Sequence, residues 1–136
     1  MAEKINAEKT EEASVLDMLL GGTVPNVEKE LPTAKYEVER LSGAAGRSVV
    51  FTLRALPYGR VHDLERFTQD ADVNILLAGC VEPDLKDPRL MEKYGAATPA
   101  EAVKKLLLPG EIVDLSNAIE RLTGYRRATI KEVKNG

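Results

Sequence analysis

Few residues in this chain have the types and spacing that chemistry requires. His62 is the only histidine and Cys80 the only cysteine. A Ser-His or Cys-His nucleophilic site would need His62 as its base, yet no nucleophile-elbow pattern lies near it. One His and one Cys are too few for a structural zinc site, which takes four nitrogen or sulfur ligands. Glu82, Asp84 and Asp87 form an acidic cluster of the kind that metal or acid–base work can use. The cluster lacks the alternating Asp/Asn ligands, central Gly and terminal Glu of a calcium loop. Asp and Pro are favoured turn residues, so the cluster reads as a turn. Gly43-Ala44-Ala45-Gly46 has no Lys-Ser/Thr behind it and is not a phosphate loop; it reads as a hairpin loop. Gly124-Tyr125-Arg126-Arg127 could touch phosphates, but cations at a helix C-terminus explain it as well. The expectation is a protein without catalytic, cofactor-binding or metal residues, and so not an enzyme.

The totals bound the architecture that must hold these residues. A chain of 136 residues with 43% hydrophobic and 30% charged residues has ordinary globular composition and favours one domain. With no Trp, four Tyr and two Phe, the core must be aliphatic, and a stacking platform for bases is a poor fit. A net charge of −3 gives no general attraction to nucleic acid or acidic membranes. The charge is uneven, however. Residues 1–30 sum to −4 and residues 121–136 to +4. The start carries no apolar stretch suited to a signal peptide, and no run approaches a spanning helix, so a cytoplasmic protein is expected.

Patterning predicts an acidic, disordered stretch over 1–13, a single domain over 14–127, and a flexible basic tail over 128–136. Ser14 is placed to cap a short helix ending at Leu20 before Gly21-Gly22, and Thr23–Pro32 reads as a connector. Alternation over Tyr36–Leu41 and again over Ser48–Leu53, around a Gly-containing loop, predicts an N-terminal antiparallel hairpin. From Asp63 on, the pattern is helical. Leu64 and Phe67 sit three apart, and Ala71–Val81 is apolar nearly all round, as in a core helix. Glu82-Pro83-Asp84 breaks that helix, and Pro88–Tyr94 forms a short one stopped by Gly95. Thr98-Pro99-Ala100-Glu101 carries a cap, a first-turn proline and a capping-box glutamate, starting a helix to about Leu107 that buries Val103, Leu106 and Leu107. The last helix opens at Pro109-Gly110-Glu111, places Ile112, Leu115, Ile119 and Leu122 on one face, and ends near Gly124. The fold class is therefore α+β: a mainly helical domain with an N-terminal antiparallel β-hairpin.

Five blocks carry a resemblance: Ile75–Leu85, Leu90–Gly95, Thr98-Pro99, Leu106–Ile112 and Ile119–Tyr125. In order and spacing, across about residues 14–127, they resemble the XkdN-like phage tail assembly chaperone family. The basic residues after Arg127 match nothing in that pattern. The resemblance implies a non-catalytic phage or prophage protein, without cofactor, that holds the tape measure protein soluble until tube subunits polymerise around it. It further implies that the chain is absent from the finished tail, with the tail tube protein or a second copy of the chain as other partners. An aliphatic groove can receive amphipathic helices at i, i+3, i+4 and i+7 anchors. Val81, Leu85, Leu106, Leu107, Leu108 and Ile112 are the candidate lining. Glu82, Asp84, Arg126 and Arg127 are the candidate rim charges.

Two other non-catalytic readings compete. A small structural component of the virion has no sequence feature that separates it from a chaperone. A DNA-binding regulator using the last helix and Arg126-Arg127 would show binding that weakens steeply with salt.

Overall fold

A computed structural model describes residues 14–66 and 69–134. The acidic stretch 1–13 and Phe67 lie outside the described residues. The chain divides into two units, one reaching Glu30 and one beginning at Leu31.

In the first unit, α1 (Val15–Leu20) starts where Ser14 Oγ accepts the Asp17 N–H at 3.1 Å, and ends at Gly21. The capping serine and terminating glycine stand where the sequence places them. None of the six helical residues is buried.

The second unit is α+β. Its elements are β1 (Thr33–Glu37), α2 (Glu39–Ala45), β2 (Val50–Arg54), α3 (Tyr58–Leu64), α4 (Ala71–Gly79), β3 (Cys80–Glu82), α5 (Pro88–Tyr94), α6 (Pro99–Leu106) and α7 (Pro109–Leu122). Among the described residues the chain thus has seven helices and one three-stranded antiparallel sheet, in the order β1-β2-β3.

The predicted strand pair exists, with Tyr36 opposite Phe51 and Ala34 opposite Leu53. Its connection is not a hairpin loop. Residues Glu39–Ala45 form a helix, so Arg40 and Leu41 are helical and Gly43-Ala44-Ala45 continues that helix. Gly46 closes it in the left-handed region (φ 76°), with its N–H on the Ser42 carbonyl. Two alanines favour helix. A glycine at positive φ is the ordinary helix stop, so the same four residues that suggest a loop make a helix end. Ser42 Oγ then accepts the Val49 N–H at 2.8 Å, returning the chain to the sheet.

The expected core helix over 71–81 is also shorter than its apolar run. It ends at Gly79, and Cys80–Glu82 leaves as β3, pairing Cys80 with Leu53 and Glu82 with Thr52 across a bulge. Apolarity all round a segment marks burial, not helix alone, and a short strand in a sheet core has the same signature. The expectation of helix throughout from Asp63 therefore fails here and also before α4, where the helix that includes Leu64 spans Tyr58–Leu64 and Glu65-Arg66 form a turn.

Helix termini follow the sequence closely. Asp87 Oδ1 accepts the Arg89 N–H and Thr98 Oγ1 the Glu101 N–H, while Gly95 ends α5 at φ 58°. Glu101 reaches back to the Ala97 N–H, one residue before the cap. At α7, Glu111 Oε1 accepts the Leu108 N–H at 2.7 Å.

The core is aliphatic apart from Phe51. That residue, Leu53, Leu76, Val103 and Ile119 are fully enclosed. Each large side chain so buried contributes about 1.5–3 kcal/mol. α7 packs on α4 and on β2, and α6 packs on both α4 and α5. α4 and α7 meet at Gly79, where an added Cβ would stand 2.7 Å from both Cδ1 and Cγ2 of Ile119. A second tie joins α2 to the turn between α6 and α7. Arg40 Nε and an Nη donate to the two Glu111 oxygens at 3.0 and 2.8 Å, and the same Nη donates to the Leu106 carbonyl at 2.8 Å. This fork holds the Glu111 carboxyl below its ordinary value of 4.5. Asp87, gripped by the Arg89 side chain and N–H, is lowered to about 2.

Two predictions follow from these contacts. Replacing Gly79→Ala overpacks a closed site, and we expect a loss of about 1–3 kcal/mol in urea denaturation. Gly43→Ala, which meets open space within α2, should gain about 0.5–1 kcal/mol. The second prediction concerns acid. A carboxyl whose value is lowered by folding lends stability that is full above its unfolded value and is lost as pH falls through the folded one. Thermal midpoints should therefore fall as pH drops below about 4.5, and Glu111→Gln should flatten the upper part of that decline.

Candidate functional site

An open apolar groove of about 260 Å³ lies where α3, α4 and the end of α7 come together. Leu56, Val61, Leu64, Ala71, Ile75 and Tyr125 supply its apolar wall. Glu65, Glu120 and Thr123 stand at its edge. Its volume falls below the roughly 300–1,000 Å³ of small-molecule sites, and its lining lacks the convergent polar groups that orient a metabolite. Its chemistry suits a few aliphatic or aromatic side chains presented by another polypeptide.

Local hydrogen bonds place each wall of the groove. Thr123 Oγ1 donates to the Ile119 carbonyl at 2.7 Å and accepts the Leu56 N–H at 3.1 Å, fastening the chain after β2 to the end of α7. Pro57 then starts α3, which turns Val61 and Leu64 toward α4 at the three-residue spacing of one helix face. Beyond α7, Gly124 adopts φ 102° and the Tyr125 N–H donates to the Glu120 carbonyl at 2.8 Å, turning Tyr125 back to the groove.

The basic residues fold onto the same helix end. Arg126 Nε donates to Glu120 Oε2 at 2.9 Å, and Arg127 Nε donates to the Arg121 carbonyl at 2.8 Å. Both cations therefore sit where the α7 dipole is negative. Glu120 offsets one of them, while the segment from Arg121 to Lys134 stays cationic in sum.

The residues singled out in sequence for a groove are divided by the structure. Leu85, Leu107 and Ile112 belong to the core, at 2%, 3% and 4% exposure, and offer no surface to a partner. Leu106 is half-buried. Val81 and Leu108 are about half exposed, at 49% and 53%, and Glu82 and Asp84 lie in solvent. The apolar periodicity of Leu106–Ile112 thus marks packing, as helical apolar spacing most often does. The wall residues Leu56, Val61, Ala71, Ile75 and Tyr125 were not singled out for binding. The available signal is Val61 and Leu64, three apart on α3, ahead of a helix that is mostly apolar.

The chemistry-bearing residues hold structural positions. Asp84 Oδ1 accepts the Lys86 N–H, and Asp87 caps α5 and pairs with Arg89 at 2.7 Å, so the acidic cluster shapes a turn. Among the described residues no three His, Cys, Asp or Glu side chains come together as metal ligands. His62 is exposed, stacks on Tyr58 at 6.2 Å between ring centroids, and lies 3.8 Å from Glu65. Cys80 packs against the core and its thiol donates to the Pro83 carbonyl at 3.4 Å; burial pushes it up to about 12, which keeps it protonated and unreactive near neutrality. Among the described residues no helix is long and apolar enough to cross a membrane.

Comparison with known proteins bears on what this groove serves. The family model described as "Phage XkdN-like tail assembly chaperone protein, TAC" matches residues 16–135. No curated protein matches the chain. The crystal structure of the protein yqbn is similar to this fold with a TM-score of 0.56 at 24% identity, covering 71% of this chain and 89% of that one. That likeness speaks to the fold, whereas the family model spans nearly the whole chain, including every element that builds the groove. The chain belongs to the phage XkdN-like tail assembly chaperone family.

Proposed function

We propose that this protein binds the tape measure protein during phage tail assembly and keeps it soluble, without catalysis, by receiving apolar helical segments in the groove between α3, α4 and the end of α7. The open apolar groove of about 260 Å³ on a tail assembly chaperone carries the reading. A long client whose apolar faces are exposed before its tube exists is prone to aggregation, and covering those faces suppresses it. An amphipathic helix docks by inserting a few anchors at one-turn spacing. The paired cations at Arg126 and Arg127 form a polar margin to which an acidic flank of the client can align. Val81, Glu82, Asp84 and Leu108 are exposed outside the groove and are the positions we assign to a second contact, either with the same client or with the tail tube protein. In this reading the protein acts in the host cytoplasm and is left out of the finished tail.

Co-expression with the tape measure protein of the same phage tests the proposal. The wild-type chain should raise the soluble fraction of the tape measure and co-purify with it. Val61→Asp should abolish co-purification, and Tyr125→Ala, at a half-exposed wall residue, should weaken it about tenfold, the loss expected for one buried apolar anchor. Leu108→Asp distinguishes the two surfaces, since it spares groove binding. Equal tape measure solubility with and without the chain would sink the reading, and recovery of the chain in purified tails would make it a structural component instead.

A further inference from the structure

One margin of the groove is built from α3 itself. Tyr58, His62 and Glu65 recur at steps of four and three along that helix and its cap, so they share one exposed face beside the groove residues Val61 and Leu64. Their contacts trace the row. The Tyr58 and His62 rings stack with centroids 6.2 Å apart, and His62 Nδ1 lies 3.8 Å from a Glu65 oxygen. Tyr58 stays 84% exposed despite that stack and takes no part in the core.

An open aromatic face followed by a carboxylate is the chemistry of a cation receptor. The ring attracts an ammonium or guanidinium group through its quadrupole. Glu65 supplies formal charge at the end of α3, where the helix dipole is also negative. The groove lining adds Glu120 and contains no Lys or Arg. Arg126 is engaged by Glu120 and Arg127 by the Arg121 carbonyl, both at the end of α7, and Arg60 and Arg66 are not part of the lining. The chain's own α1 offers this margin no cation, since its one charged residue is Asp17. We propose that the helix received by the groove carries arginine or lysine along one edge, and that this edge lies on Tyr58 and Glu65. Arginine suits both, because a planar guanidinium stacks on a ring and donates to a carboxylate. Tyr58 and Glu65 stand about 10 Å apart along the helix, so cations two turns apart on a client can meet both at once. The inference rests on the groove binding proposed above and adds the charge of the segment bound there.

Fluorescence anisotropy on the full chain tests it with three labelled synthetic amphipathic helices. They share leucines at i, i+3, i+4 and i+7 and differ only in one edge, which is arginine, glutamine or glutamate. The arginine helix should bind about five- to tenfold more tightly than the glutamate helix, with glutamine between them and the gap closing as salt rises. Glu65→Lys should reverse that order. Tyr58→Ala should weaken the arginine helix about threefold and leave the glutamine helix unchanged. Both positions are exposed, so neither change threatens the fold. Equal binding of all three helices would overturn this inference alone, whereas binding by none would remove the groove reading and this inference with it. Ile130 and Val133, 89% and 81% exposed among the basic residues after α7, identify a rival occupant within the chain. Tighter binding of the arginine helix to an Ile130→Asp, Val133→Asp chain would assign the margin to that basic end and overturn the proposal.

Discussion

The backbone of α4 lies against the side chain of Ile119 with no room between them, and much of the second unit follows from that contact. Gly79 is the last helical residue before the chain leaves as β3, so this tight contact of α4 with α7 falls one residue from the sheet. Because glycine lets the two helices touch there, β3 reaches β2 in register with Leu53 while α7 still packs on β2. A side chain at position 79 would have to lift α4 from α7 or move β3 from β2. Protein interiors resist either change because their neighbours are close-packed. The groove inherits this constraint. Its wall at Ala71 and Ile75 belongs to the α4 that Gly79 seats, and its other wall hangs from the end of α7.

Much of the fold was legible because it depends on local rules. The caps at Ser14 and Thr98 and the stops at Gly21 and Gly95 are decided by a few neighbouring residues, and they stand where those residues imply. The departures lie where two structures share one local pattern. Alternation at Tyr36–Leu41 fits a strand throughout, yet only residues through Glu37 pair. Leu41 packs on the core from a helix, and Arg40 points to a carboxylate 71 positions away. No window of the sequence contains that partner. Likewise Cys80–Glu82 becomes a strand because Thr52 and Leu53 are there to receive it.

The site was less legible than the fold, for a related reason. Apolar stripes identify what is removed from water, and the strongest stripe, Leu106–Ile112, sends Leu107 and Ile112 into the core while Leu108 stays half exposed. The groove is lined by apolar residues that the core leaves partly open, such as Val61, Leu64 and Ile75, and that partial exposure shows only after the packing is known. Ile75 stands in a helix whose only polar residues are Asp72 and Asn74, so nothing local separates it from Leu76, which is wholly enclosed. Tyr125 reaches the groove through a glycine turn at φ 102°. The Arg126-Arg127 pair is visible in the sequence, and its place just after the last helix implies a helix end. The structure adds the carboxylate and the carbonyl that hold each one there.

The sheet is small and its order leaves both outer strands open. β1 has five residues, with Lys35 and Glu37 exposed among them, and β3 has three, beyond a register break. Unpaired strand edges recruit further strands, and brevity, charge and irregularity are how natural proteins suppress that recruitment. A chaperone is surrounded by incompletely folded chains that have backbone groups to pair, and a long, regular, uncharged edge would polymerise with them. With both edges blunted, the sheet offers such chains little on which to grow.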